Sequence, residues 1–237
     1  MTLKDTIKGS KSIEKTNWEK QDIITYYLER PISYLFTWPL VNTPISANVV
    51  SFFSIVVSIC ALGFMSFGGN LLFKIIGWSL LFFWSILDCV DGNVARCKKT
   101  ANNSGALWDA AAGYIAMSVL FISSTMIAFN ETSLIEIPYL SKDIYLFIGF
   151  LSLASCLIPR IVMHKKKNSD NSADNEFVNR RNFSLIKIVI NNIMSITGIA
   201  LILLLIAIIF NFVNIYVLIY GSLNVLICIY SLIKLLK

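Results

Sequence analysis

Three aspartates lie close together at the ends of two long apolar runs of the sequence. Asp88 and Asp91 are three residues apart, and on a helix this spacing places both carboxylates on one face. Asp109 lies near the start of the next apolar run. Like charges beside apolar segments are costly unless a cation neutralises them, and Mg2+ or Mn2+ prefers oxygen ligands. We therefore expect Asp88, Asp91 and Asp109 to bind a divalent metal.

Small residues and an arginine in the same stretch indicate a second ligand. Gly92 and Ala95 lack bulk, which lets a phosphorylated molecule approach the backbone. Arg96 carries a planar guanidinium that suits phosphate oxygens. A metal, small residues and an arginine together predict a diphosphate substrate.

The whole stretch resembles the signature of the CDP-alcohol phosphotransferases. The matching positions are Asp88, Asp91, Gly92, Ala95, Arg96, Gly105 and Asp109, in the spacing D-x2-D-G-x2-A-R-x8-G-x3-D. The resemblance implies an integral membrane enzyme that moves a phospho-alcohol from a CDP carrier to an acceptor hydroxyl and releases CMP. It also implies that Asp109 takes part in catalysis, and that the small residues and the arginine, Gly105 included, bind the substrate.

One position departs from the family pattern, which has a fourth Asp four residues after Asp109. This chain has Gly113 there. In the family that Asp is taken as the general base for the acceptor and as a ligand of a second metal. Three alternatives stay open: His164, the only histidine, acts as the base; a metal-bound group or a substrate phosphate does so; or the site binds CDP-alcohol without efficient turnover.

Other segments add candidate substrate ligands. The start of the first apolar run resembles the family segment Pro-Asn-x-x-Thr, which contacts the CDP group, and this implies Asn48 and Ser51 as binding residues. A phosphorylated acceptor would need cationic partners near the metal. The available ones are Arg160, Arg180 and Arg181.

The composition is that of a multi-span membrane protein. Of the 237 residues, 56% are hydrophobic and 14% are charged, and the mean hydropathy is +0.70. The five cysteines form no CxxC or Cys/His group, so neither a disulfide framework nor a zinc site is indicated. The net charge of +6 comes from residues that border apolar runs, which predicts contact with anionic lipid headgroups and no nucleic acid.

The apolar pattern predicts an all-α integral membrane protein with six transmembrane helices. The predicted spans are residues 45–67, 71–87, 104–129, 144–163, 188–210 and 213–233. Residues 26–44 mix aromatic and polar side chains, which predicts an amphipathic helix at the cytosolic membrane surface. The chain thus divides into an N-terminal cytosolic segment, 1–44, and a six-span membrane domain, 45–237.

The distribution of charge predicts the orientation. All 20 Lys and Arg residues except Lys74 and Lys142 fall in segments assigned to the cytosol, so both termini are expected there, in a multi-pass protein of the cell membrane. The three aspartates of the motif share one end of two adjacent spans. A transporter or channel would spread its acids through the membrane depth, and the clustering argues against that class.

The expected activity is transfer of a phospho-alcohol group, with phosphatidyl transfer from CDP-diacylglycerol as the default and a CDP-polyol as the other donor. The acceptor is a hydroxyl compound, and the pathway is phospholipid or polar-lipid biosynthesis. The alternative is a catalytically impaired relative that binds CDP-lipid or organises a membrane complex. The resemblance also implies a homodimer, the assembly that the family commonly forms.

Overall fold

A computed structural model of the chain describes residues 1–11, 22–131, 133–135, 137, 140–169, 192 and 195–236. All regular secondary structure in these residues is helical, which confirms the all-α class. The helices are α1 (Leu3–Ser10), α2 (Arg30–Val41), α3 (Ala47–Phe67), α4 (Leu71–Lys98), α5 (Asn103–Asn130), α6 (Asp143–Ser169), α7 (Leu201–Ile209) and α8 (Val213–Leu236). Short π-helical turns, Thr25–Glu29 and Ile196–Ala200, precede α2 and α7.

Several of these helices are long and apolar enough to cross a membrane, as expected of a multi-pass protein. The five candidate spans in the described residues are Ala47–Phe67, Leu71–Lys98, Asn103–Asn130, Asp143–Met163 and Val213–Ile233. They correspond to five of the six predicted spans. The remaining prediction, 188–210, lies partly outside the described residues, and its described part contains a shorter apolar helix, Thr197–Ile209. The orientation of the termini stays a prediction.

Helix α4 continues well past its predicted end at residue 87. It begins where the side chain of Asn70 accepts a hydrogen bond from the backbone N–H of Phe73 at 3.0 Å, and it ends at Lys98. Lys99 then takes a left-handed conformation with φ of 56°, a common way to end a helix. The charged motif lowers the hydropathy but contains no proline, so the helix does not stop there. We call residues 88–98 the motif end of α4.

The core forms where α3 packs against both α4 and α5, while α8 packs against α6. Close approach of α3 and α4 requires Gly77. A Cβ at this position would lie 2.9 Å from the carbonyl oxygen of Ala61 and 2.9 Å from the backbone nitrogen of Met65. Backbone atoms cannot move aside as a flexible side chain can. The position of α4 beside α3 therefore depends on this glycine.

Gly77→Ala is expected to destabilise the protein by about 1–3 kcal/mol, the usual cost of overpacking a core. The measurement is the thermal unfolding midpoint of the purified protein in detergent. Gly63→Ala is the matched control, because a Cβ there meets nothing within 4 Å. Its midpoint should equal that of the native chain or exceed it slightly, since alanine favours helix. Equal midpoints for both variants would contradict the packing argument.

The first two helices pack against the motif end of α4. Helix α2 buries Ser33 and Thr37 completely and exposes large side chains such as Leu35 and Trp38. This division between a buried polar side and an exposed apolar side suits a helix at a membrane surface. That location stays a prediction.

Glu29, in the turn before α2, is a fully buried carboxyl. Its Oε2 accepts a hydrogen bond from Thr25 Oγ1 at 2.9 Å. Burial raises the pKa of Glu29 from its ordinary value of 4.5 to about 7; hydrogen bonds from Ser85 and Thr25 and the charge of Arg30 oppose the rise, while the nearby Asp22 adds to it. The side chain is therefore protonated in the folded protein under mildly acidic conditions.

This pKa predicts a pH-dependent stability. Between about pH 4.5 and 7 the unfolded chain releases the Glu29 proton while the folded chain keeps it. The free energy of unfolding should therefore fall as the pH rises through this window, by on the order of 3 kcal/mol. Denaturant unfolding at a series of pH values between 4.5 and 8 measures this change. In Glu29→Gln the free energy of unfolding should depend less on pH than in the native chain. The exposed-carboxyl control Asp143→Asn should keep the native slope; a native slope in Glu29→Gln would contradict the prediction.

Candidate active site

Asp91 is deeply buried at the motif end of α4. Its side chain is only 4% exposed, and its Oδ2 accepts a hydrogen bond from Ser51 Oγ at 2.5 Å. Ser51 belongs to α3 and is itself 2% exposed. A short bond from a hydroxyl to a carboxylate is a strong one, and it fixes α3 against α4 at this level. Asp88, one turn earlier on α4, is half-buried.

Asp109, on α5, differs from this pair in that its side chain is exposed. Within the described part of the chain, no three His, Cys, Asp or Glu side chains form a group that could hold a metal ion. The structure thus brings Asp91 to Ser51 but does not gather the three predicted ligands into one cluster. The donors themselves, carboxylate and hydroxyl oxygens, fit a hard divalent ion rather than a soft one. A site for Mg2+ or Mn2+ stays a prediction.

Asn48 and Gly105, two predicted substrate ligands far apart in sequence, lie next to each other. A Cβ on Gly105 would be 3.3 Å from Asn48 Oδ1 and 3.4 Å from Asn102 Oδ1. Asn102 caps α5 by accepting the backbone N–H of Gly105 at 2.7 Å. Any larger residue at Gly105 would press on both amides. The glycine therefore allows the start of α5 to approach the start of α3.

Arg96 is held by the protein itself. Its Nε donates a hydrogen bond to the carbonyl oxygen of Ser10 at 2.7 Å, and its Nη2 donates to Asn93 Oδ1 at 2.7 Å. Gly92 and Ala95 are partly buried on the same helix. The contacts of Arg96 with Ser10 and Asn93 were not predicted from the sequence. Phosphate binding by this side chain stays a prediction.

The position of the absent fourth aspartate is open. A Cβ added to Gly113 would meet nothing within 4 Å. Gly113 follows Asp109 by one helical turn, so side chains at the two positions share a face of α5. The next residue in this row is Met117, and its Sδ accepts a hydrogen bond from Arg160 Nη1 at 2.7 Å. Asp109 therefore lies one turn before Gly113 on this face of α5, and Arg160 of α6 contacts the side chain of the residue one turn after it.

Arg160 is half-buried on α6 and faces α5. Its Nη1 also contacts Cys156, at 2.7 Å from Sγ and 3.4 Å from the carbonyl oxygen. His164 follows in the same helix, and its side chain lies outside the described part of the structure, as do Arg180 and Arg181. The roles predicted for these three residues stay predictions.

Comparison with known proteins covers most of the chain. A family model, that of the CDP-alcohol phosphatidyltransferases, matches residues 44–230. None of the curated proteins matches the chain. The matched region contains Asp88, Asp91, Arg96 and Asp109, and it includes α3 to α7 and most of α8.

Proposed function

Since the chain belongs to the CDP-alcohol phosphatidyltransferase family, we propose that it transfers a phosphatidyl group from CDP-diacylglycerol to an acceptor hydroxyl and releases CMP. The family is a class of transferases that use a CDP-alcohol and an alcohol acceptor in lipid biosynthesis. The observation that best supports a site in this member is the bond between the buried Asp91 and Ser51, beside the contact of Asn48 with Gly105. The bond joins α3 to α4, and the proximity of Asn48 to Gly105 brings the start of α5 beside the start of α3.

In the proposed reaction the acceptor oxygen attacks the β-phosphorus of the CDP group. The new P–O bond forms as the bond between this phosphorus and the bridging oxygen breaks, and CMP leaves with that oxygen. Asp88, Asp91 and Asp109 would hold Mg2+ or Mn2+, which neutralises the diphosphate and the charge that develops on the leaving group. Asn48 and Ser51 would contact the CDP group. The small residues Gly92 and Ala95 of α4 and Gly105 of α5 would let it approach the backbone.

The acceptor proton needs a base that Gly113 cannot supply. The open space at Gly113 leaves room for the acceptor itself, and Arg160 of α6 contacts Met117, one turn after Gly113 on α5. A phosphate on the acceptor would pair with this guanidinium, and Arg180 and Arg181 would add charge. The phosphate or His164 would then take the proton. With either base the enzyme would be slow but still active, because general-base catalysis contributes about 10²- to 10⁴-fold to the rate.

A second candidate function follows from the same glycine. A chain without the family's base would bind CDP-lipid and turn it over poorly, acting as a binding or scaffold protein. The test is CMP release by the purified protein in detergent with Mg2+ or Mn2+, CDP-diacylglycerol and a panel of polyol, inositol phosphate and glycerol phosphate acceptors. Release with one acceptor supports the transferase and names the substrate. Tight CDP-lipid binding with no release on any acceptor supports the second candidate.

A further inference from the structure

Asn93 lies between Asp91 and Arg96 on α4, and its side chain is fully buried. Its Oδ1 accepts hydrogen bonds from two guanidinium groups, from Arg30 Nη1 at 2.8 Å and from Arg96 Nη2 at 2.7 Å. An amide oxygen has two lone pairs, and these two bonds use both. The two arginines, one from α2 and one from α4, therefore share this neutral oxygen atom as a hydrogen-bond acceptor.

The other end of the Asn93 amide is also fully used. Its Nδ2 donates to Ser33 Oγ at 3.0 Å and to Thr37 Oγ1 at 3.2 Å, two completely buried hydroxyls of α2. A guanidinium group cannot accept a hydrogen bond, so the amide must turn its oxygen to the arginines and its nitrogen to the hydroxyls. The amide orientation follows from its partners and not from the asparagine alone.

A second contact fixes Arg96 from the opposite side. Its Nε donates to the carbonyl oxygen of Ser10, the last residue of α1, at 2.7 Å. A carbonyl at a helix C-terminus is a favourable partner for a cation. Cys97, the next residue on α4, lies under the same helix, with its Sγ 3.4 Å from Ser10 Oγ and 3.5 Å from the carbonyl oxygen of Thr6. Helices α1, α2 and α4 thus meet around the Arg96 side chain.

We propose that Asn93 is a positioning residue, which holds the Arg96 guanidinium at the motif end of α4 in the orientation that binds a substrate phosphate. This inference rests on the proposed transferase function. A free arginine side chain samples many rotamers, and two protein contacts restrict it before the substrate arrives. The N-terminal helix α1 then becomes part of the site scaffold, although none of its side chains belongs to the motif.

The kinetic test compares two substitutions of the same residue. Asn93→Leu removes the shared acceptor and is expected to lower kcat/KM by about 10- to 100-fold, mainly through a higher KM for the CDP donor. Asn93→Asp keeps an acceptor for both arginines and should stay within about threefold of the native chain. Asn224→Leu is the control: it deletes a buried amide on α8 whose Nδ2 donates to Tyr220 of its own helix, and it should leave both constants unchanged. Equal losses in Asn93→Leu and Asn93→Asp would overturn the proposal.

Maleimide labelling of Cys97, located by mass spectrometry, tests the arrangement without any turnover. Asn93→Leu should label several-fold faster than the native chain, because an Arg96 side chain released by Asn93 no longer stays at the Ser10 carbonyl that docks α1 over Cys97. Asn93→Asp should label at the native rate. If Asn93→Leu does not elute as one species, Asn93→Thr replaces it, since one hydroxyl cannot reach both arginines. If Asn93→Leu labels faster but the native chain is inactive with every acceptor, the proposed transferase function is wrong, while the positioning of Arg96 by Asn93 is supported. Unchanged labelling and unchanged KM would overturn the proposal itself.

Discussion

Asp91→Asn is expected to lower kcat/KM for CMP release by about 10³-fold. The substitution keeps the size of the side chain and an oxygen that can still accept from Ser51 Oγ, so the join between α3 and α4 should survive. It removes the negative charge that the proposed metal needs, and stabilisation of charge in the transition state is among the largest contributions to catalysis. The measurement is initial-rate CMP release at several donor and Mg2+ concentrations.

The control for this prediction is Asp143→Asn, the same chemical change at an exposed aspartate at the opposite end of the helical bundle. It should not alter the rate. The thermal unfolding midpoint of Asp91→Asn should lie close to the native value or above it, because a buried charge is removed. An Asp91→Asn protein within about threefold of native activity would show that the buried carboxylate serves packing alone.

Gly113→Asp is expected to raise the rate of CMP release by about 100-fold. A Cβ at this position meets open space, so the helix can accept the side chain without rearrangement. The new carboxylate would lie one helical turn after Asp109, on the same face of α5. It would supply the general base that the chain lacks, and such a base contributes about 10²- to 10⁴-fold.

Two matched variants separate the base from other effects of this change. Gly113→Asn has almost the same shape and no basic carboxylate, so it should give no gain. Gly69→Asp adds the same charge where a Cβ also has open space, but far from the motif, and should leave the rate unchanged. If Gly113→Asp brings no gain while the native chain turns over, another group already acts as the base.

Sequence reasoning located the motif helix better than it located the motif's partners. The spacing of Asp88 and Asp91 correctly predicted a shared helix, and five of the six predicted spans correspond to candidate spans in the described residues. The predicted second span ends at residue 87, whereas α4 continues to Lys98, because hydropathy falls at charged residues whether or not the helix continues. The exposed position of Asp109 depends on how α5 packs beside α4, and spacing along one helix carries no information about that.

The Arg96 network shows what a local pattern cannot provide. Its contact with Ser10 joins residues 86 positions apart, and the contact of Asn93 with Arg30 joins residues 63 positions apart. One signal was available: Thr2 and Asp5 form the capping box that begins α1, and this pattern can be read from the sequence. It predicts a helix but not its docking site. The polar residues of α2 and α4 gave no sign of their pairing before the helices were packed together.

Transfer of the phosphatidyl group of a CDP-lipid can be followed with CDP-diacylglycerol labelled at the β-phosphorus. The measurement uses the purified protein in lipid nanodiscs with Mg2+ and the acceptor panel. We expect the label to appear in a new lipid, one mole for each mole of CMP released, and Asp91→Asn to form almost none. Bound donor with neither labelled product nor CMP on any acceptor would contradict this expectation.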